Sequence, residues 1–207
     1  MLKINQGEHV FIAGRTGSGK TFLVKKYLQN SKLPIYCLDL KQTLNWSGVS
    51  EKDIGYYDSL EDVIKSKKRK VIYQPKWEEI DNNIFINFFE FCYKRGDCIV
   101  WVDETMGIGS ALKYPAYYKA LLTRGRELGI SVWSCTQRPA SIPIIALSEA
   151  THFFIFDLNM LKDRVRISDI VGEDDFTVAP GKFSFWYYHI SDSEHPIRAR
   201  LTKKKGG

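Results

Sequence analysis

Along the chain, short runs in which apolar residues follow one another almost without interruption recur at His9–Gly14, Ile35–Leu40, Lys70–Gln74, Cys98–Asp103, Ile130–Thr136 and Thr151–Asp157. They are rich in β-branched and aromatic residues and lack polar alternation, so they predict strands buried on both faces of a sheet. Between them, apolar positions recur at helical spacing and predict helices over Lys20–Asn30, Ser59–Ser66, Trp77–Lys94, Pro115–Leu128, Ile144–Glu149 and Met160–Ile170. Strand and helix alternate, which predicts an α/β sandwich of three layers around a mainly parallel sheet. After Gly172 the pattern changes. Phe176–Val178, a Pro180-Gly181 turn and Phe183–His189 predict a terminal β-hairpin over about 175–190. The expectation is one domain over 1–207, with its core at about 8–170 and a basic tail at 203–207.

Composition narrows the class without naming a function. The chain has 207 residues, of which 44% are hydrophobic and 26% charged. That balance excludes a disordered, collagen-like or coiled-coil chain. The apolar stretch Pro139–Ser148 is about half the length that a bilayer span needs and contains two prolines, so no transmembrane helix is expected. The start shows no basic stretch leading into an apolar one, and the expected location is the cytoplasm. Cys37, Cys92, Cys98 and Cys135 show no paired spacing and read as buried free thiols, and the four histidines are scattered, so no metal site is expected from protein ligands alone. A net charge of +6 is compatible with a polyanionic partner.

Three motifs carry chemistry. Gly14-Arg15-Thr16-Gly17-Ser18-Gly19-Lys20-Thr21 is a complete G-x-x-x-x-G-K-[ST] loop between a strand and a helix. Its glycines let successive backbone N–H groups point at a phosphate, and the helix adds its positive end. Lys20 then reaches the β- and γ-phosphates, and Thr21 offers its hydroxyl to Mg2+. The second motif, Ile99-Val100-Trp101-Val102-Asp103-Glu104, ends an apolar strand in two acids: Asp103 for the metal and Glu104 to polarise an attacking water. A carboxylate following the metal-binding acid points to a motor ATPase and not to a kinase. In the third, Ser134-Cys135-Thr136-Gln137-Arg138-Pro139, Gln137 stands at a strand end where it can contact water or the γ-phosphate.

With Glu127-Leu128-Gly129-Ile130 leading into Thr136-Gln137-Arg138-Pro139, these motifs closely resemble the FtsK/HerA superfamily of DNA-pumping ATPases. The likeness continues through Leu147–His152, Phe154-Ile155-Phe156 and Lys162-Asp163-Arg164, and so runs from about residue 8 to 170. It is similar in particular to the compact genome-packaging ATPases of tailless, internal-membrane viruses, since at this length no membrane anchor, winged-helix domain or added barrel is expected. The resemblance implies a P-loop NTPase fold of the RecA-like, additional-strand type with a C-terminal β-hairpin. It implies ATP and Mg2+ as cofactors and a homo-oligomeric ring, usually a hexamer, that moves double-stranded DNA without reading its sequence. It also implies an arginine acting from a neighbouring subunit, and Arg126 sits where related sequences carry one. At 100° per residue, Tyr114, Tyr117, Leu121, Gly125 and Leu128 form a core-facing stripe with Arg126 outside it. The competing reading is a surface arginine, with Arg124 as the second candidate finger.

The DNA contacts are less sharply written. Lys67, Lys68 and Arg69 lie in a run of basic residues that reads either as a phosphate-contacting patch or as a solvated helix end. Lys113 follows a glycine-rich segment after Glu104 and reads as a pore contact or a plain loop. The resulting expectation is an ATP-driven translocase that packages a viral genome into a preformed capsid, docked at a capsid vertex or on a membrane-associated viral protein. The alternative is a P-loop nucleotide switch or assembly factor in virion morphogenesis that pumps no DNA.

Overall fold

A computed structural model describes residues 2–202. The basic tail expected at 203–207 lies outside the described residues. Nine strands form one sheet in the order β3-β4-β2-β5-β6-β1-β7-β8-β9. They are β1 (Val10–Ala13), β2 (Ile35–Leu38), β3 (Ile54–Tyr57), β4 (Lys70–Tyr73), β5 (Ile99–Val102), β6 (Ser131–Thr136), β7 (His152–Phe156), β8 (Ser184–His189) and β9 (Ile197–Arg200). β1 to β7 run parallel, and β8 and β9 are antiparallel to their neighbours. The helices are α1 (Lys20–Leu28), α2 (Leu60–Lys65), α3 (Trp77–Asp81), α4 (Asn87–Arg95), α5 (Ala116–Arg124), α6 (Ile145–Ser148) and α7 (Leu161–Val171). No helix among the described residues is long and apolar enough to cross a membrane.

Alternate strand residues point to opposite faces, and each face has its own core. Phe11, Val100, Val102 and Val132 pack beneath residues of α2, α4, α5, α6 and α7. Val10, Ile12, Trp101 and Trp133 meet α1, with Leu44 and Trp46 covering the rest of that face. The three layers are therefore unequal, with most helices on one side. All four cysteines are buried and unpaired, as read from the sequence.

Four expectations need correction. The hairpin pairs β8 with β9, not with Phe176–Val178; Asp174–Thr177 is a single 3-10 turn whose Phe176 packs against Tyr188 from below. The helix expected over Trp77–Lys94 is broken, because Asn83 adopts a left-handed backbone with φ 56°, which asparagine tolerates. The stripe expected over α5 ends early: Leu121 and Gly125 are buried, joined by Tyr118 and Leu122, and Tyr114 and Tyr117 are half-buried, whereas Leu128 is exposed. Leu128 leaves the stripe because the chain tightens into a 3-10 turn at Gly125–Leu128, which advances each residue by about 120° instead of 100°. Finally, the histidines are not all scattered. The His152 and His189 rings lie 4.7 Å apart, with Glu8 2.9 Å from His152.

His9 ties the elements around β1 together. Its Nδ1 accepts the Val132 N–H at 3.0 Å, so its Nε2 carries the proton and donates to the Leu122 carbonyl at 2.9 Å. Burial, and after it the nearby Arg126, hold this neutral ring down to a pKa of about 4. An unfolded chain takes up this proton below its ordinary value of 6.5, while the folded one does so only near 4. Stability is therefore lost as the pH is lowered through that window. Urea unfolding at pH 7.5 and 4.5 is expected to differ by roughly 2–3 kcal/mol from this group. A His9→Asn variant should show a shallower dependence, and an equal slope would remove His9 as the cause.

Candidate nucleotide site

β5, β6 and β1 are adjacent in the sheet, with Val102 beside Ser134 and Ala13 beside Thr136. That register aligns their carboxyl ends, so the three motifs converge on one edge. Ligands of open α/β sheets bind at this edge. The loop 14–19 curls tightly because glycine stands where other residues do not fit. A Cβ on Gly14 would lie 2.6 Å from Phe156 and Ser18, and Gly19 takes φ 111° to start α1. No side chain caps α1, which leaves its first N–H groups for an anion.

Lys20 is buried and turned back into the loop, donating to the Gly14 carbonyl at 2.6 Å and the Arg15 carbonyl at 3.2 Å. Burial pushes its ammonium below the usual range, against the pull of Cys135, Glu104 and Asp103. Thr21 donates to Asp103 at 3.2 Å. Burial, and then the neighbouring Asp39, push the Asp103 carboxyl up. Ser18 Oγ is buried with no hydrogen-bond partner among the described residues.

Glu104 is also buried, and both of its oxygens are engaged. Oε1 accepts the backbone N–H of Gln137 at 3.3 Å, and Oε2 lies 3.1 Å from Lys41 Nζ. The Gln137 side chain in turn accepts from the Thr16 hydroxyl at 2.6 Å. A continuous chain of contacts thus runs from the phosphate loop through Gln137 to Glu104.

Sequence reasoning missed the supports of this arrangement. Lys41 sits on the turn after β2, which is fixed by buried Asp39 accepting from the N–H groups of Lys41 and Leu44 and from Gln74. A lone lysine after a strand carries no spacing signal. Arg138 pairs with buried Asp163 at 3.0 Å, and Asp163 also accepts the Ala140 N–H, which anchors the loop that follows Gln137. Arg15 pairs with Asp157 at the end of β7.

The remaining candidates lie elsewhere. Arg126 is exposed and stands before β6, near Gly7 and 3.3 Å from Thr151, so it occupies the opposite edge of the sheet from the phosphate loop. Arg124 is exposed at the end of α5. Lys67, Lys68 and Arg69 precede β4, also on the far edge. Lys68 and Arg69 are tied to the carbonyls of Glu51, Ser31 and Lys32, while Lys67 is exposed. Lys113 belongs to a tight turn closed on Ser110, with Leu112 95% exposed at its tip.

A strand-to-helix phosphate loop, a paired-acid strand and a polar strand end come together here as the parts of a P-loop nucleotide site. Two of the proteins this chain resembles are viral. The DNA packaging ATPase P9 of Enterobacteria phage PRD1 is 29% identical over 177 residues, spanning 82% of this chain and 73% of that one. The genome packaging NTPase B204 of Sulfolobus turreted icosahedral virus 2, in complex with sulfate, matches with a TM-score of 0.78 at 18% identity, covering 97% of this chain and 99% of that one. Its complex with AMPPCP matches at 0.75 and 19% identity, over 96% and 100% of the two chains. No protein-family model matches the chain.

Proposed function

We propose that this chain is the motor that uses ATP to move double-stranded DNA into a preformed viral capsid, assembled as a homomeric ring that the resemblance makes hexameric. The observation that carries the reading is the link from Thr16 through Gln137 to buried Glu104, which couples the loop holding the phosphates to the base that activates water. The names of the phage PRD1 and Sulfolobus virus relatives support the DNA cargo, and the reading places the motor at a capsid vertex or on a membrane-associated viral protein.

In this reading Lys20 leaves its carbonyl partners to neutralise the β- and γ-phosphates. Ser18 Oγ, without a partner of its own, turns to a phosphate oxygen. Glu104 accepts the proton of the attacking water, oriented by Lys41 and the Gln137 N–H, and the Gln137 side chain reports whether the γ-phosphate is present. Thr21 and Asp103 fit Mg2+, since they present two hard oxygen ligands side by side. The ion supplies charge neutralisation to the phosphates when bound. Arg126 of one copy completes the site of the next, with Arg124 as the alternative. The protruding Leu112–Lys113 turn, on the same edge as Glu104, meets the duplex. Lys67, Lys68 and Arg69 offer a second, sequence-blind phosphate contact.

ATP turnover with and without duplex DNA tests this. A translocase turns over several-fold faster on duplex of any sequence, and the stimulation fades steeply as salt rises. A rate indifferent to duplex at every salt concentration would instead identify a nucleotide switch.

A further inference from the structure

The edge that carries the phosphate loop holds a second lysine, which the three motifs do not contain. β2 lies beside β5 with Leu38 opposite Val102, and the Asp103 N–H donates to the Leu38 carbonyl at 3.1 Å. The turn after β2 therefore stands next to Asp103 and Glu104, on the side away from β6 and β1. Its backbone is pinned. Buried Asp39 accepts the N–H groups of Lys41 and Leu44 at 3.2 and 2.7 Å. Gln42 is left-handed at φ 55° and donates through its side chain to the Pro75 carbonyl at 2.7 Å. A residue other than glycine keeps that conformation where its surroundings enforce it, and such residues gather at functional sites.

Lys41 leaves this fixed turn on a flexible stem. Its Nζ lies 3.1 Å from Glu104 Oε2, with the lysine side chain 43% exposed and the glutamate 6%. An ammonium has three donors and no acceptor. Glu104 takes one of them among the described residues, so two remain on a side chain that solvent reaches. The charge is felt across the site. Burial pushes the Lys20 ammonium down and Lys41 adds to that push, whereas burial and Asp39 push the Asp103 carboxyl up and Lys41 opposes them. Lys41 thus stands close to Asp103, Glu104 and Lys20 at once.

We propose that Lys41 is a catalytic residue that bridges Glu104 to the γ-phosphate, a second cation that the chain itself supplies to the transferring group. The inference rests on the nucleotide-site reading above and adds a residue to it. A base that activates water for attack on the γ-phosphate stands one water away from that phosphate, so two anions face each other in a partly buried site. Like charges repel strongly there. A lysine already seated on the glutamate, with donors to spare, offsets the repulsion, and a compact ammonium on a flexible stem suits phosphate oxygens as a point charge. As the bond to the β-phosphate oxygen breaks, the proton of the attacking water passes to Glu104 and Lys41 stays on the oxygens of the leaving phosphate. ADP has no group at this position, so Lys41 makes the site distinguish ATP from ADP.

The test uses the Glu104→Gln protein, in which bound ATP is not consumed and the loss of Lys41 leaves no buried carboxylate unpaired. Equilibrium binding of ATP and of ADP, each with Mg2+, is measured for Glu104→Gln alone and combined with Lys41→Ala, Lys41→Met or Lys41→Arg. Methionine keeps an apolar stem, so it holds the fold should alanine lower the melting temperature. Alanine and methionine are expected to weaken ATP about 10- to 100-fold, the worth of a hydrogen bond between charged groups, and to leave ADP within about twofold. Arginine keeps the charge and should retain most of the preference for ATP. Unchanged ATP affinity without Lys41 would overturn the proposal, as would an equal loss for ATP and ADP, and either result would reduce Lys41 to a support of Glu104. If the Glu104→Gln protein with Lys41 intact binds neither nucleotide, the nucleotide-site reading itself has failed, and the proposal with it.

Discussion

Lys20→Ala is expected to abolish ATP hydrolysis and to weaken nucleotide binding, whereas Glu104→Gln keeps binding and loses turnover. The two outcomes differ because the two side chains meet the nucleotide at different stages. Lys20 is the one ammonium inside the loop, and it already sits where phosphate oxygens would replace the Gly14 and Arg15 carbonyls. No other residue of the loop places a cation there. Glu104 stands off the loop at the end of β5 and, in the proposed mechanism, contributes when water is deprotonated. General-base catalysis is worth about 10²–10⁴ in rate, so Glu104→Gln should fall by that factor with ATP affinity within a few-fold. Glutamine preserves the side-chain volume and can keep the contact with the Gln137 N–H, which makes an effect through misfolding small. Steady-state turnover combined with equilibrium ATP binding checks both variants. Wild-type turnover in Glu104→Gln would remove Glu104 as the base.

Arg126→Ala is expected to cost about 10³ or more in turnover without loss of ATP binding, in line with arginine fingers of P-loop enzymes. The reason is positional. Arg126 lies before β6 and Gln137 lies after it, so roughly 20 Å of strand separates the arginine from its own catalytic edge. It cannot serve the site of its own chain. It is exposed, and the side-chain hydrogen bond it makes among the described residues, to Thr151, is long at 3.3 Å. An arginine so placed is available to another copy that presents its loop to this edge. Specific activity should then rise with protein concentration as rings assemble, and Arg124→Ala serves as the comparison.

Much of this was legible in the residues, and the missing part has identifiable causes. Central strands buried on both faces announce themselves as continuous apolar runs, and all six such runs form strands. The two strands not foreseen are the edges of the sheet. β3 carries Gly55 and half-exposed tyrosines, and β9 reads Ile-Arg-Ala-Arg with its polar residues in solvent, so neither stands out from a loop. The hairpin was expected one strand too early because Phe176 looks like a strand residue in sequence. Its burial comes from packing beneath Tyr188 and not from pairing. At the site, motif spacing identified Lys20, Thr21, Asp103, Glu104 and Gln137, and the fold brings them together. Lys41, Asp39 and the Arg138–Asp163 pair were invisible because partners distant in sequence complete them: Glu104 after β5 for Lys41, Gln74 after β4 for Asp39, and Asp163 on α7 for Arg138.

The central claim is that ATP is hydrolysed between subunits of a ring, and one mixing experiment addresses it most directly. Arg126→Ala subunits keep an intact phosphate loop, and Lys20→Ala subunits keep an intact finger. Combined in equal amounts with duplex DNA present, they form some interfaces at which a wild-type loop faces a wild-type arginine. The account predicts partial ATP turnover in the mixture and essentially none in either variant alone. An Arg126→Ala protein that is fully active by itself, or a mixture as inactive as its components while mixed rings form, would contradict it.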